Sequence, residues 1–426
     1  MKKQKIAFHT LGCKLNFAES STLARQYRDN GYETVNHKEE ADIYVIHSCA
    51  VTAQAESKCR AAIRQAKKRN PDSKVAVIGC YPQLKEEEIN SMEEADIVLG
   101  NTEKHLLFDY LNENDSKFSQ VSNIQQSHSC TPAYSSGDRT RSFLKIQDGC
   151  DYYCSYCTIP YARGKSRSLR ISDILKSTKE IASLDIKEII LTGVNIGDYG
   201  KPNNENLYEL LKELIKINGI ERIRISSIEP DLLTDEIIHL VAESKKLMPH
   251  FHIPLQAGSD RILKLMRRKY KRDVFAKKVS LIKKIMPFAC IAADIIVGFP
   301  GETDDDFNDS FSFIDSLPIS YLHVFSYSER PGTKAAQLTD KVHPGIKKDR
   351  SKKLHELSDK KKHEFYKKNS GKSVDVLFES TNHSGYIQGF SDNYIRVKKV
   401  FNRSLINDIQ TVNLIEIDND NIYKTD

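Results

Sequence analysis

Gly149-Cys150-Asp151-Tyr152-Tyr153-Cys154-Ser155-Tyr156-Cys157-Thr158-Ile159-Pro160 carries three cysteines with the spacing C-x3-C-x2-C. Three thiolates so close together can hold one metal centre, because thiolate sulfur suits zinc and iron–sulfur clusters. A closed structural zinc site needs four ligands, and no fourth Cys or His lies nearby in sequence. A zinc loop therefore requires a distant fourth ligand. A cubane cluster needs none: held by three cysteines, it keeps one iron open to an outside ligand.

Around this loop lie 426 residues, enough for two to four domains. The composition, 39% hydrophobic and 29% charged, is that of a globular protein. The apolar run after the N-terminal lysines, Ile6-Ala7-Phe8, is too short for a signal peptide or a membrane span. A cytoplasmic location is the expectation, and there nine cysteines read as metal ligands and free thiols rather than disulfides. The net charge is only +6, but it is unevenly spread. Residues 264–284 hold ten basic side chains against one acidic, Asp273, and residues 341–372 hold twelve against four. Two such runs point to a polyanionic partner, most simply RNA.

Residues 1–111 alternate short apolar runs with amphipathic stretches. Strands are expected at Lys5–Thr10, Ile43–Ser48, Lys74–Gly79 and Ile97–Leu99, with helices at about 16–30 and Ala53–Arg69. This is the pattern of an open parallel α/β domain. The first three strands end at or just before Cys13, Cys49 and Cys80. Ligands collect outside the carboxyl ends of parallel strands, so three cysteines there can converge on a second metal centre.

Residues 112–142 are polar and aperiodic and read as a linker, in which Cys130 has no assigned role. From 143 to 340, six strand-like runs recur (143–147, 188–194, 222–228, 250–256, 292–299 and 321–327), each gap long enough for a helix. A partial (β/α)6 barrel is the simplest arrangement, with its site at the carboxyl ends of the strands. Polar and glycine-rich residues gather at those ends: Thr192, Gly193 and Asn195; Ser226 and Glu229; Gln256 and Gly258; Gly298 and Gly301. Glycine lets backbone approach a ligand closely, so this rim reads as a cofactor site. Residues 341–371 form a basic bridging helix. Residues 372–426 change to short alternating strands (373–379, 386–390, 394–400, 409–417), the pattern of a small β-barrel.

Several motifs together resemble the radical S-adenosylmethionine (SAM) methylthiotransferases over nearly the whole chain. They are Thr10-Leu11-Gly12-Cys13-Lys14-Leu15-Asn16 with Cys49 and Gly79-Cys80; the cysteine loop through Arg163-Gly164-Lys165-Ser166-Arg167-Ser168; His252-Ile253-Pro254-Leu255-Gln256-Ala257-Gly258-Ser259; and Asp294 to Thr303. The tail is similar to that family's RNA-binding TRAM barrel. The resemblance implies two 4Fe–4S clusters, on Cys13/Cys49/Cys80 and on Cys150/Cys154/Cys157, with SAM chelated at the second and Tyr156 against its adenine. It implies a tRNA anticodon loop as substrate and a flavodoxin- or ferredoxin-type electron donor. Gly-Cys-Lys-Leu-Asn is similar to the subgroup acting on N6-threonylcarbamoyladenosine. The isopentenyladenosine enzymes usually carry Gly-Cys-Gln-Met-Asn, and those modifying a ribosomal-protein aspartate Gly-Cys-Pro-Lys-Asn. A non-catalytic iron–sulfur RNA-binding or redox-sensing protein also explains the cysteines and the charge, but leaves the glycine-rich rim without a purpose.

Overall fold

The four strands expected in the N-terminal third form as read, at Lys5–Thr10, Ile43–Ser48, Lys74–Gly79 and Ile97–Leu99, in a computed structural model that describes residues 3–113, 117–137, 140–418 and 420–425. Short strands at Glu33–Val35 and Phe118–Gln120 extend the sheet on either edge, and all six run parallel. Both faces are covered. Tyr44, Ile46, Val75, Val77 and Val98 meet Cys59 and Ile63 of the helix Ala53–Arg69 on one side. Ile6, Val45, Ile78 and Leu99 meet Leu23 and Tyr27 of the helix Lys14–Asp29 on the other. Thr52 starts the helix Ala53–Arg69 by accepting the Ala55 amide hydrogen, and Asn70 ends it before Pro71.

Phe118–Gln120 lies in the segment expected as a linker. Three residues are too few to show a period, and backbone pairing with Ile97–Leu99 alone makes them a strand. Ala133 is also buried, packed against Ala18 and Phe143. Part of 112–142 therefore joins the N-terminal domain to the barrel by packing rather than by a free tether.

Six parallel strands follow in sequence order: Arg141–Lys145, Glu188–Thr192, Arg222–Ile225, His250–His252, Cys290–Val297 and Tyr321–Ser326. Continuous ladders join them in two sets of three. Between the sets, Pro249 offers no N–H, and the pairing is reduced to bonds such as Met248 N–H to Ile223 O at 3.0 Å. Most strands stop short of the expected carboxyl ends, because the polar residues there curl into rim loops.

Leu144, Ile189, Leu191, Ile223, Ile225, Phe251, Ile291, Ala293 and Ile295 share one core under the helices. Strand alternation sends the residues between them to the opposite face. That face, the bore, carries Lys145, Gln147, Thr192, Arg222, Arg224, His252, Asp294 and His323. The bore is therefore largely polar, with Phe143 and Ile190 as an apolar patch against Ala18 and Ala133.

The helix Pro344–Asn369 bridges as expected, with Leu354 and Leu357 in the barrel core and Phe365 and Tyr366 in the next one. The C-terminal strands form one mixed sheet, in spatial order Ile409–Asn413, Ser373–His383, Tyr386–Ser391, Arg396–Val400, Tyr423–Lys424, Glu416–Ile417. It is a curled half-barrel rather than a closed barrel, since no pairing of described residues joins its two ends. A register shift between Phe378 and Asn382 supplies the bend.

This sheet floors the barrel. Arg222 donates to Asp375 O (2.7 Å) and Phe390 O (3.1 Å), and Arg224 donates to Asp392 O (2.9 Å) and Ser391 O (3.2 Å). The His250 ring stacks on Tyr394 with centroids 4.2 Å apart. No helix of the described residues is long and apolar enough to cross a membrane.

Candidate active site between two cysteine triads

Each N-terminal cysteine sits where a strand hands over to a helix or loop. Cys13 is the N-cap of Lys14–Asp29, Cys49 follows Ile43–Ser48, and Cys80 opens the short helix Cys80–Leu84. They converge as the strand order requires. A side chain on Gly12 (φ +105°) would strike Cys49 Cβ at 2.7 Å, so only glycine lets Cys13 and Cys49 come together. Burial pushes the Cys49 thiol up to about 12, and the Cys80 and Cys13 sulfurs add to this. Binding a metal there must therefore release protons.

Cys150, Cys154 and Cys157 lie in one cluster with Tyr152 and Tyr156. The Tyr152 and Ile159 amides point at the Cys150 and Cys157 sulfurs at 3.3 and 3.5 Å. Arg268 Nη1 donates to Cys154 Sγ at 3.0 Å and also pairs with Glu229. The two amides and the Arg268 guanidinium aimed at these sulfurs are the donors a cluster held by thiolates calls for.

A buried charge network, invisible in the motifs, joins the two triads. Glu19 Oε2 takes Lys104 Nζ at 2.6 Å and Glu19 Oε1 takes Lys145 Nζ at 2.7 Å. Lys145 also reaches Asp148 at 2.9 Å, and Arg163 bridges Asp148 (2.8 Å) and Glu19 (3.3 Å) while donating to Asn16 at 2.6 Å. Asp148 lies two residues before Cys150. The Arg163 charge bears on Cys80 and Cys13. Burial alone would raise Glu19, but Lys104, Lys145 and Arg163 overcome it and hold the carboxyl well below its ordinary range. One sequence signal was available: Asn16, Glu19 and Ser20 form a polar stripe on the buried face of the first helix.

The rim residues divide into two groups. Gln147 Oε1 accepts the Val194 and Asn195 amides (2.9 and 3.0 Å), while its Nε2 donates to Gly149 O (2.7 Å). The Thr192-Gly193-Val194-Asn195 turn is thereby fixed to the cysteine loop. Asn195 Oδ1 is buried without a partner, an acceptor free for a cofactor. Glu229 is held there by Arg268, and Tyr156 meets Phe299 edge-on at 6.5 Å. Ser226 is buried just past the strand Arg222–Ile225, and Gln256, at φ +65°, bridges to Ile295.

Packing accounts for the other group. A Cβ on Gly258 would lie 2.6 Å from the Ser310 backbone, and one on Gly298 would overlap Lys347. Gly301 donates its amide to Asp340 O at 2.6 Å. Gly258 and Gly298 thus make room for neighbouring chain, whereas a side chain on Gly301 would meet only Leu265 at 3.7 Å. The leftover thiols Cys59 and Cys290 are buried in apolar cores.

Residues 144–314 match the radical SAM superfamily, and residues 5–100 match the uncharacterized protein family UPF0004. The chain is 41% identical, over 93% of its length and 96% of the relative's, to threonylcarbamoyladenosine tRNA methylthiotransferase MtaB of Aquifex aeolicus. The chain belongs to the radical-SAM methylthiotransferase family. It is 35% identical, over 97% of its length and 94% of the relative's, to tRNA-2-methylthio-N(6)-dimethylallyladenosine synthase of Clostridium tetani. Among solved structures, the radical SAM methyltransferase TsrM of Kitasatospora setae aligns with a TM-score of 0.56 at 13% identity, covering 78% of this chain and 77% of that one. That last likeness is one of fold.

Family membership makes the chain an enzyme that uses SAM and iron–sulfur chemistry. It also gives the mid-bore residues a context. His252 Nε2 meets Asp294 Oδ1 at 2.7 Å, His252 Nδ1 meets Ser227 Oγ at 2.9 Å, and His323 lies beside them. Lys14, next to Cys13, is open to solvent but ringed by protein. Burial, then Arg141 and Arg224, lowers its ammonium to about 8, with Asp294 opposing.

Proposed function

We propose that the protein methylthiolates carbon 2 of N6-threonylcarbamoyladenosine beside the anticodon of tRNA, in the cytoplasm. The observation that carries this reading is the higher identity to threonylcarbamoyladenosine enzymes, 41%, than to dimethylallyladenosine enzymes, 35%. The geometry supports the chemistry. Replacing an unactivated C–H with C–S is beyond any side chain, so the reactivity belongs to two 4Fe–4S clusters and SAM when they are bound. Cys13, Cys49 and Cys80 would hold one cluster, Cys150, Cys154 and Cys157 the other, with reducing equivalents from a flavodoxin- or ferredoxin-type donor.

The residues between the triads position and exclude water. Arg163 spans from the first triad to Asp148 and offsets thiolate charge, fixing one site against the other. Gln147 locks the rim turn to the cysteine loop, and Arg268 holds Glu229 beside Cys154. The C-terminal sheet closes the floor of the bore, leaving the target base to enter from the rim. The proposed divisions of the chain are 1–111, 112–142, 143–340, 341–371 and 372–426, with Phe118–Gln120 of the second segment paired into the sheet of the first and Arg141 opening the first barrel strand.

The test is anaerobic reconstitution with SAM and reductant, offered stem-loop RNA carrying threonylcarbamoyladenosine or dimethylallyladenosine. Methylthiolation of the first is expected. Product only from the second would overturn the substrate reading and keep the chemistry.

A further inference from the structure

We infer that Arg330 and Glu56 are a positioning pair that sets the N-terminal cysteine site against the C-x3-C-x2-C loop, so that transfer between the two sites depends on it. The inference rests on the two-site methylthiolation proposed above, in which a sulfur group from one site has to meet a base activated at the other. Such a step is sensitive to displacement: a misplacement of about 1 Å can cost about a hundredfold in rate. The Arg163 network holds the N-terminal domain through the helix Lys14–Asp29, on one face of its sheet. A domain held on one face alone can pivot about that contact.

The second contact is on the opposite face. Glu56 lies in the first turn of the helix Ala53–Arg69, which begins four residues after Cys49 and packs on that face. Its Oε2 accepts from Lys85 Nζ at 3.0 Å, and Lys85 directly follows the short helix Cys80–Leu84. Glu56 thereby links the carriers of two of the three N-terminal cysteines. Its Oε1 accepts from Arg330 Nη2, 274 residues away in the chain, and both residues are 4% exposed.

Arg330 is itself firmly placed. It opens the turn Arg330-Pro331-Gly332-Thr333 after the last barrel strand. Thr333 donates its amide and its hydroxyl to Arg330 O at 3.2 and 2.7 Å, and Gly332 takes φ +81°. Two residues on, the Ala335 amide donates to Ser155 O at 2.8 Å, and Ser155 stands between Cys154 and Cys157. The path from Cys49 to the second cysteine loop therefore runs through Glu56, Arg330 and one short turn. Among the described residues, Glu56 is the one acid paired with Arg330. A buried ion pair is seldom more stabilising than apolar side chains of the same volume, and its best-attested use is to fix the register of packed elements.

The test compares the reconstituted full-length enzyme with R330Q, E56Q, the double variant and R330K. With SAM, reductant and stem-loop RNA, methylthiolated product per deoxyadenosine formed from SAM should fall about tenfold or more in R330Q and E56Q. It should fall no further in the double variant, because the two side chains act as one unit, and should recover in R330K. Iron content should match the wild type in all four. Hydrogen exchange should quicken at residues 53–57 and 330–335 in R330Q, while the strands Ile43–Ser48 and Lys74–Gly79 keep their protection. Wild-type coupling in R330Q, additive losses in the double variant, or unchanged exchange in both segments would overturn the proposal. So would iron lost from R330Q, which would make the pair a support of one cysteine site. Failure of the two-site reading looks different: the wild type would give no product from any stem-loop, and hydrogen exchange would still report whether the pair joins the two segments.

Discussion

Arg163 shows how much one side chain can bind together. It lies 1% exposed between Asp148 and Glu19, with Cys13 and Cys80 alongside. Removing it leaves two carboxylates sharing the two lysines Lys104 and Lys145. Breaking a buried pair from one side costs about 3–5 kcal/mol. Arg163→Ala should lower the urea midpoint of unfolding accordingly, and Arg163→Lys should recover only part, since an ammonium cannot span three acceptors at once. The cysteines divide at the same scale. Alanine at Cys13, Cys49 and Cys80 together should halve the roughly eight irons expected of two 4Fe–4S clusters, as should alanine at Cys150, Cys154 and Cys157. Serine at Cys59 or Cys290 should change iron content not at all, because both thiols face apolar packing. Iron lost from Cys59→Ser would mean that a ligand has been misassigned.

The C-terminal sheet is the element whose role changes most between sequence and structure. Its alternating strands read as a detachable RNA-binding module. In the fold, its Asp375, Phe390, Ser391 and Asp392 carbonyls receive the guanidinium groups of Arg222 and Arg224, and Tyr394 stacks on His250. Ending the chain at Gly371 would expose buried arginines and the floor of the bore. The truncated protein should therefore melt several degrees lower and lose SAM cleavage along with tRNA binding. Retention of full cleavage after truncation would show that the floor is dispensable.

At the scale of the whole molecule, charge decides both partner and pH range. Part of each basic run is spoken for. Arg268 serves Cys154, Lys278 pairs with Asp235 at 2.6 Å, and Arg350 is buried against Glu302 and Asp304. Lys264, Arg267 and Lys271 remain exposed on the side that begins beside the cysteine loop. Binding to tRNA should weaken steeply with salt, and replacing Lys264, Arg267 and Lys271 by Gln should lower the log–log slope by about one for each phosphate no longer neutralised. Acid should destabilise the fold early. Burial, then Lys104, lowers His105 to about 3, and burial, then Arg224, holds His250 well below its ordinary value. Below about pH 6.5 the unfolded chain binds protons at these rings that the folded chain refuses, so stability falls as pH drops. Each such ring contributes about 1.4 kcal/mol per pH unit down to its folded value. Denaturation midpoints at pH 7.5, 6 and 5 check this, and His105→Asn should flatten the fall.

Local pattern determined most of the elements and marked the two cysteine triads. Short apolar runs in 1–111 marked the strands at their expected bounds, as at Ile43–Ser48 with both faces buried, whereas in the barrel the expected 222–228 and 250–256 overran strands that end at Ile225 and His252. The C-x3-C-x2-C loop and the strand-end cysteines needed only spacing and strand ends to be recognised, because ligands on one short loop or one sheet edge are close in any parallel fold. What passed between domains was illegible. Glu19, Lys104, Lys145, Asp148 and Arg163 come from positions up to 144 residues apart in the chain, and each taken alone is an ordinary charged residue. Phe118–Gln120 became a strand only through a partner's backbone, and the crowding of Gly258 by Ser310 and of Gly298 by Lys347 is visible only in the fold. Lys14 read as one letter of a motif beside Cys13. Only the packing of its helix against the first barrel strand, Phe17 on Phe143, set what lies around it, because a side chain's surroundings are decided by everything packed against the element that carries it.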